Sequence, residues 1–280
     1  MSKWSLLVAV LSAGAVALYA PPAAAWGPDG HRIIGEIASH YLTPRTEREV
    51  ERLLEPGRFD DLAEVGNWAD AYARLYDAYD WATKLHYVNV DPAATSFDAA
   101  RDCPRGECVV GAVERFARRL AEPGVPLWEQ REAFRFLVHF VEDLHQPLHV
   151  VHPDGQGGGR TAVIFRGEEI DLHQLWDSGL LERRLEELET TRGVAAWRRL
   201  AYELRLGIES AERVAWAAEA DPASWANEGV APARALTFDV ASGQEIDRAY
   251  YEAAIPVIER RLQMAAVRLA ATLNRVLDGS

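Results

Sequence analysis

Apolar residues recur at three- and four-residue steps over Ile33 to Tyr41, Arg45 to Leu54, Leu62 to Tyr79, Val109 to Leu120, Leu127 to His145, Leu180 to Leu188, Val194 to Ala217 and Glu245 to Leu277. That period turns one helix face toward a core. Turn formers separate the runs: Pro44, Pro56-Gly57, Pro92, Pro104 with Gly106, Pro123-Gly124, Pro153 to Gly159, Pro222 and Pro232. One stretch, Thr161 to Phe165, reads as β and pairs with Glu169 to Leu172 across Arg166-Gly167. The pattern predicts a mainly α protein, with residues 26–280 as one helical domain carrying a small β-hairpin. Trp197, Trp216 and Trp225 fall in helical surroundings and are expected in the core.

The start of the chain departs from this amphipathic pattern. Lys3, the apolar run Leu6 to Ala20, and Ala23-Ala24-Ala25 make a charged start, a hydrophobic segment and a small-residue cleavage site. Residues 1–25 therefore read as a secretion signal cut between Ala25 and Trp26. Gly14, Pro21 and Pro22 interrupt the run and argue against a retained anchor. No later segment is apolar enough to cross a membrane, so the expectation is an exported, periplasmic or secreted protein, monomeric and with no membrane partner.

The chain carries a formal net charge of −13, which repels a phosphate backbone over most of the surface and excludes electrostatic tracking of a long duplex. Bound cations can still make one cleft locally positive. The two cysteines, Cys103 and Cys108, lie in a chain read as exported, where a disulfide persists. The Gly155 to Gly159 run lacks the lysine and hydroxyl residue of a phosphate-binding loop and reads as a flexible turn.

The chemistry concentrates in His139-Phe140-Val141-Glu142-Asp143-Leu144-His145-Gln146-Pro147-Leu148-His149, where three of the eight histidines stand in one apolar run. His139 and Asp143 are four apart and share a helix face, so both can reach one ion. Pro147 bends the chain and can bring His149 inward. His173 and Asp177 repeat the spacing of four, and Asp70, His86 and His31 add further nitrogen and oxygen donors. Imidazole and carboxylate without thiolate suit zinc or a similar divalent ion in an open site. Cleavage before Trp26 frees an α-amine that, with the Trp26 carbonyl, can close a five-membered chelate. His145, two residues from Asp143, points away from it, His40 belongs to the surface of the first helix, and His152 lies just past the bend in a loop whose direction the sequence leaves open.

These residues resemble the S1/P1 nuclease family, which is related to zinc-dependent phospholipase C. The likeness rests on Trp26-Gly27 with His31, Trp68-Ala69-Asp70, Leu85-His86-Tyr87, Arg101-Asp102-Cys103 with Cys108, the His139 to His149 run, and Asp171-Leu172-His173-Gln174-Leu175-Trp176-Asp177. It implies a single-domain helical bundle of the phospholipase C and P1 nuclease type holding three zinc ions. One ion would take Asp70, His86, His139 and Asp143; a second the Trp26 amine and carbonyl, His31 and the other oxygen of Asp143; a third His149, His173 and Asp177. The implied activity is endonuclease and 3′-nucleotidase action on single-stranded DNA, RNA and nucleotides, with a zinc-bridged hydroxide attacking phosphorus in line to leave 5′-phosphorylated products. Asp70 and Asp143 would be catalytic through the metals, and Tyr87 would stack a base.

Three positions depart from the family pattern. Ala73 stands where many relatives have an arginine, with Arg74 one step on; Gly158-Gly159-Arg160 replaces Gly-Gly-Asn; and Asn89 stands where some have a base-reading aspartate. Arg160 is therefore expected to supply the missing cation and, with Tyr87 and Asn89, to touch substrate. The rival readings are a phospholipase C on a lipid phosphodiester and an exported zinc-binding protein without catalysis. Asp177, in place of the phospholipases' glutamate, and the lack of a basic amphipathic face favour the nuclease.

Overall fold

The computed structural model describes residues 26–278 apart from 56, 74 and 189–192. The secretion signal expected at residues 1–25 lies outside the described residues, as does Arg74. Helices dominate, in the order α1 (Pro28–Ser39), α2 (Pro44–Leu53), α3 (Leu62–Val65), α4 (Trp68–Ala73), α5 (Ala99–Asp102), α6 (Val109–Ala121) and α7 (Leu127–Asp143). They continue with α8 (Leu172–Gln174), α9 (Leu180–Glu186), α10 (Ala196–Gly207), α11 (Ser210–Ala218), α12 (Pro222–Thr237) and α13 (Arg248–Asp278). No described helix is long and apolar enough to cross a membrane.

Two helices organise the rest. The α7 helix is buried on every side from Ala133 to Asp143, and α13 packs against α1, α2, α6, α7, α9 and α11. Phe136 illustrates the packing: its ring stacks on Phe116 and Phe140 and meets Trp68 edge-on at 5.2 Å. Such aromatic pairs add directional attraction to the area they bury. Trp216 and Trp225 are buried and Trp197 is partly so, as the helical pattern predicts.

The hairpin forms with β1 (Ala162–Phe165) antiparallel to β2 (Glu168–Asp171), and β3 (Gln244–Glu245) adds in parallel to β1. Arg166 and Gly167 turn the chain at φ 57° and 83°, the paired left-handed conformation that suits the twist of two antiparallel strands.

Four segments differ from the periodicity. The run Leu62 to Tyr79 is not one helix but α3, α4 and a 3₁₀ segment Asp77–Leu85. Its break at Gly66 frees a carbonyl that accepts from His139 Nδ1 at 2.7 Å. Val194 to Ala217 divides into α10 and α11, because Glu209 and Glu212 form a reciprocal capping box that starts a new helix. The last helix begins at Arg248, the preceding Gln244 and Glu245 being used by the sheet. Pro222 and Pro232 lie within α12; Pro222 suits a first turn, and the buried face of Trp225, Ala226, Gly229, Val230 and Ala233 carries the helix through Pro232.

Candidate metal centre

Helix α7 takes His139, Glu142 and Asp143 to full burial, and buried polar groups at such depth demand partners. Four of the histidines find a backbone partner on one side of the ring. Nδ1 of His86 meets Ala82 O at 2.9 Å, of His139 Gly66 O, of His149 His86 O at 2.7 Å, and of His173 Gly157 O at 2.8 Å. Each ring therefore donates from Nδ1 and turns Nε2 inward, the arrangement that second-layer carbonyls impose on metal-binding imidazoles. Nε2 of His31, His86 and His139, Asp70 Oδ2 and both Asp143 oxygens are buried without a hydrogen-bond partner.

These atoms gather into three groups, His31 with Asp70 and His139, His86 with His139 and Asp143, and His149 with His173 and Asp177, the ligand atoms of each lying within 4.8 Å of one another. The first two are one continuous cluster. Asp143 Oδ2 is 3.0 Å from His139 Nε2 and Oδ1 is 3.8 Å from His31 Nε2, while Asp70 Oδ1 lies 3.6 Å from His86 and 3.8 Å from His139. The third group adjoins it, His149 Nδ1 standing 4.0 Å from Asp143 Oδ2. Unpartnered donors of nitrogen and oxygen without sulfur fit zinc or a similar divalent cation.

Local structure explains the convergence. His139 and Asp143 share one face of α7, after which Gln146 caps a single 3₁₀ turn, Pro147–His149, that carries His149 around the bend. The extended segment 88–90 runs beside it, Val88 N–H and Val90 N–H donating to His149 O and Val150 O at 2.8 Å. His173 and Asp177 straddle the change from α8 to a π turn, Leu175–Gly179, a widening often found at functional sites. Gly157 presents its carbonyl to His173 at φ 60°, where a side chain would collide with that ring.

Electrostatics mark the same residues. Burial holds His31 and His149 well below the usual histidine range, with neighbouring imidazoles adding to it, and lowers His86 to about 4. Burial acts likewise on His139 and His173, but Asp143 and Asp70 for the first, and Asp177 for the second, outweigh it and push both up to about 9. Burial raises Asp143 to about 7 and Asp177 to about 6, against the pull of His139 and His173. A divalent cation among these carboxylates would relieve the cost of ionising them.

Trp26 is fully buried beside the cluster. Its indole N–H donates to Glu142 O at 3.1 Å and Gly27 N–H to Asp177 O at 2.8 Å, so the start of the described chain is held between the two halves of the site. The other histidines are occupied elsewhere. His145 hydrogen-bonds Val141 O at 2.7 Å and faces Arg268 at 3.2 Å, His152 is paired with Asp154, and His40 is exposed beside Glu36.

The expected substrate residues are at the surface. Tyr87 and Asn89 are the exposed members of a segment whose Val88 and Val90 are buried, and the segment is tied to His149 and Val150. Arg160 is exposed at the end of a loop wound around Asp154, which accepts backbone N–H groups from Gln156, Gly158 and Arg160. Cys103 and Cys108 form the disulfide, with Cα atoms 5.4 Å apart.

Two site residues were not read from the sequence. Glu142 Oε2 lies 2.5 Å from His31 Nδ1, and Gln146 Nε2 donates to Asp177 Oδ1 at 2.6 Å. Glu142 had one available signal, a carboxylate inside a run otherwise made of apolar and ligand residues.

The S1/P1 Nuclease family model matches residues 26–278. Endonuclease 2 of Arabidopsis thaliana is 33% identical over 278 residues, which cover 92% of this chain and 93% of the relative. Endonuclease 3 of the same plant is 28% identical over 98% of the chain and 97% of its own length. Nuclease P1 of Penicillium citrinum is 26% identical over 90% and 97%.

Proposed function

Because this chain belongs to the S1/P1 nuclease family, we propose that it is a zinc-dependent hydrolase of phosphodiester bonds in single-stranded DNA and RNA, and of 3′-nucleotides, leaving 5′-phosphorylated products. The observation that carries this reading is the set of inward Nε2 and carboxylate atoms gathered in three groups, those of His31, His86, His139, Asp70 and Asp143 without a hydrogen-bond partner, which matches the donors a cluster of divalent cations requires. Asp70, His86, His139 and Asp143 would hold one ion, Trp26, His31 and Asp143 a second, and His149, His173 and Asp177 a third. Bound there, the ions supply charge that draws the pKa of water toward neutrality and offsets charge building on the phosphate.

The chain's own residues do the rest. Asp143, shared between sites, fixes the spacing of the pair. Gln146 keeps Asp177 turned inward. Tyr87 offers a ring face for an unpaired base, Asn89 an amide beside it, and Arg160 a cation for a phosphate oxygen. An acidic surface disfavours a duplex, whose charge density exceeds that of a flexible strand. We further assign residues 1–25 to an export signal cut before Trp26, and the mature chain to a monomer.

The test is a substrate panel on the mature protein with and without chelator: denatured DNA, RNA, a 3′-mononucleotide, duplex DNA and phosphatidylcholine. Chelator-sensitive release of acid-soluble nucleotides with 5′ phosphates from denatured DNA is the expected result. Release of choline phosphate without nucleotide would transfer the site to lipid chemistry, and no turnover of any substrate would refute the reading.

A further inference from the structure

Glu142 precedes Asp143 on α7, and consecutive helical residues point about 100° apart. Yet both carboxylates address one ring: Glu142 Oε2 lies 2.5 Å from His31 Nδ1, and Asp143 Oδ1 lies 3.8 Å from His31 Nε2. His31 sits between them, stacked on His139 at 4.7 Å between centroids. His86, His139, His149 and His173 all set Nδ1 against a backbone carbonyl. Among these five, His31 alone has a carboxylate in that place.

The surroundings are arranged for that exception. Glu142 is fully buried and its second oxygen, Oε1, has no hydrogen-bond partner, so the His31 ring is the contact that compensates a costly buried acid. Gly66 borders the carboxylate so closely that any side chain there would overlap Glu142 Oε2. The Glu142 main chain also takes the Trp26 indole. One residue thereby holds two of the three proposed ligand residues of the second ion, Trp26 through the Glu142 carbonyl and His31 through the Glu142 side chain.

Resting on the metal reading above, we propose that Glu142 is a positioning residue for the ion held by His31. With the ion bound, it accepts the hydrogen bond of Nδ1–H and locks the tautomer that leaves Nε2 free. Outer carboxylates of this kind alter metal affinity about 10- to 100-fold. Its effect falls on one ion of the cluster and passes through His31.

The experiment measures zinc affinity of the mature protein by competition with a chromogenic chelator, with metal content read by mass spectrometry. Glu142→Gln keeps the volume but replaces the carboxylate behind His31 by an amide. The expected result is about 10-fold or greater weakening of one zinc, the remaining zinc unchanged, and an unaltered far-ultraviolet circular dichroism spectrum. In a His31→Ala background, Glu142→Gln should then cause no further loss of zinc affinity, a non-additivity that a merely structural role would not produce. Wild-type affinity for every ion in Glu142→Gln, or the same loss with and without His31, overturns the proposal. A wild-type protein that binds no zinc would instead overturn the metal reading on which it rests.

Discussion

Asp143 Oδ2 stands 3.0 Å from His139 Nε2, on the same face of α7 and one turn along. The second oxygen turns to His31 rather than to solvent. Under the proposed ligand assignment a carboxylate divided in this way serves two ions at once, so its loss should count twice. Asp143→Asn is expected to remove two metal ions and reduce turnover of single-stranded DNA on the order of 100-fold or more, whereas Asp177→Asn should remove one. Metal content by mass spectrometry beside the rate decides it; equal losses in the two variants would mean that Asp143 does not bridge.

His145 and His149 are four apart and equally buried, but they do different work. His145 is held by Val141 O and Arg268, and burial with Arg261 and Arg268 nearby keeps it well below the usual range, hence neutral. His145→Ala should cost stability, about 1–3 kcal/mol for the groups left unpaired, with full metal content. His149→Ala should lose an ion. Urea unfolding paired with metal analysis separates them, and a missing ion in the His145 variant would contradict the assignment.

The difference between these two histidines also shows what a sequence discloses. His139, Asp143, His173 and Asp177 declare themselves by a spacing of four, and His145 is set aside by a spacing of two. The helices of α7 and α13 follow from apolar period alone. The break at Gly66 does not: it falls inside Leu62 to Tyr79, whose period reads as one helix, and it is met by tertiary partners, His139 donating to its carbonyl and Glu142 filling its flank. The partners of Glu142 and Gln146 are hidden for the same reason, since they lie 111 and 31 residues away. Pairings over that distance carry no local period.

Protons and metal compete for one set of atoms, which fixes the sign of a pH effect. In chelated protein, His139 and His173 hold a proton up to about 9, above the unfolded value near 6.5. That contribution is complete below about pH 6.5 and is lost as pH rises through 9. Asp143, raised by burial to about 7, acts in the same direction but at lower pH, between its unfolded value near 3.9 and about 7. The melting temperature of chelated protein should therefore fall between pH 7 and pH 9. With zinc it should not fall in parallel, since deprotonated ligands bind metal more tightly. Parallel curves would show that the ion does not occupy these groups.

The proposed amino terminus at Trp26 offers the sharpest separation of fold from site. Trp26 is anchored by its indole on Glu142 O and by Gly27 N–H on Asp177 O, neither of which involves the amine. A variant that retains one alanine before Trp26 keeps both anchors and should melt within about 2 °C of the mature protein once both are chelated, since no packed group changes. The amine, however, becomes an amide with no lone pair to give and cannot close a chelate with the Trp26 carbonyl. Such a protein should carry one ion fewer and lose most of its activity on single-stranded DNA. Full occupancy and full turnover in that variant would remove Trp26 from the ligand set and leave the second ion to His31 and Asp143 alone.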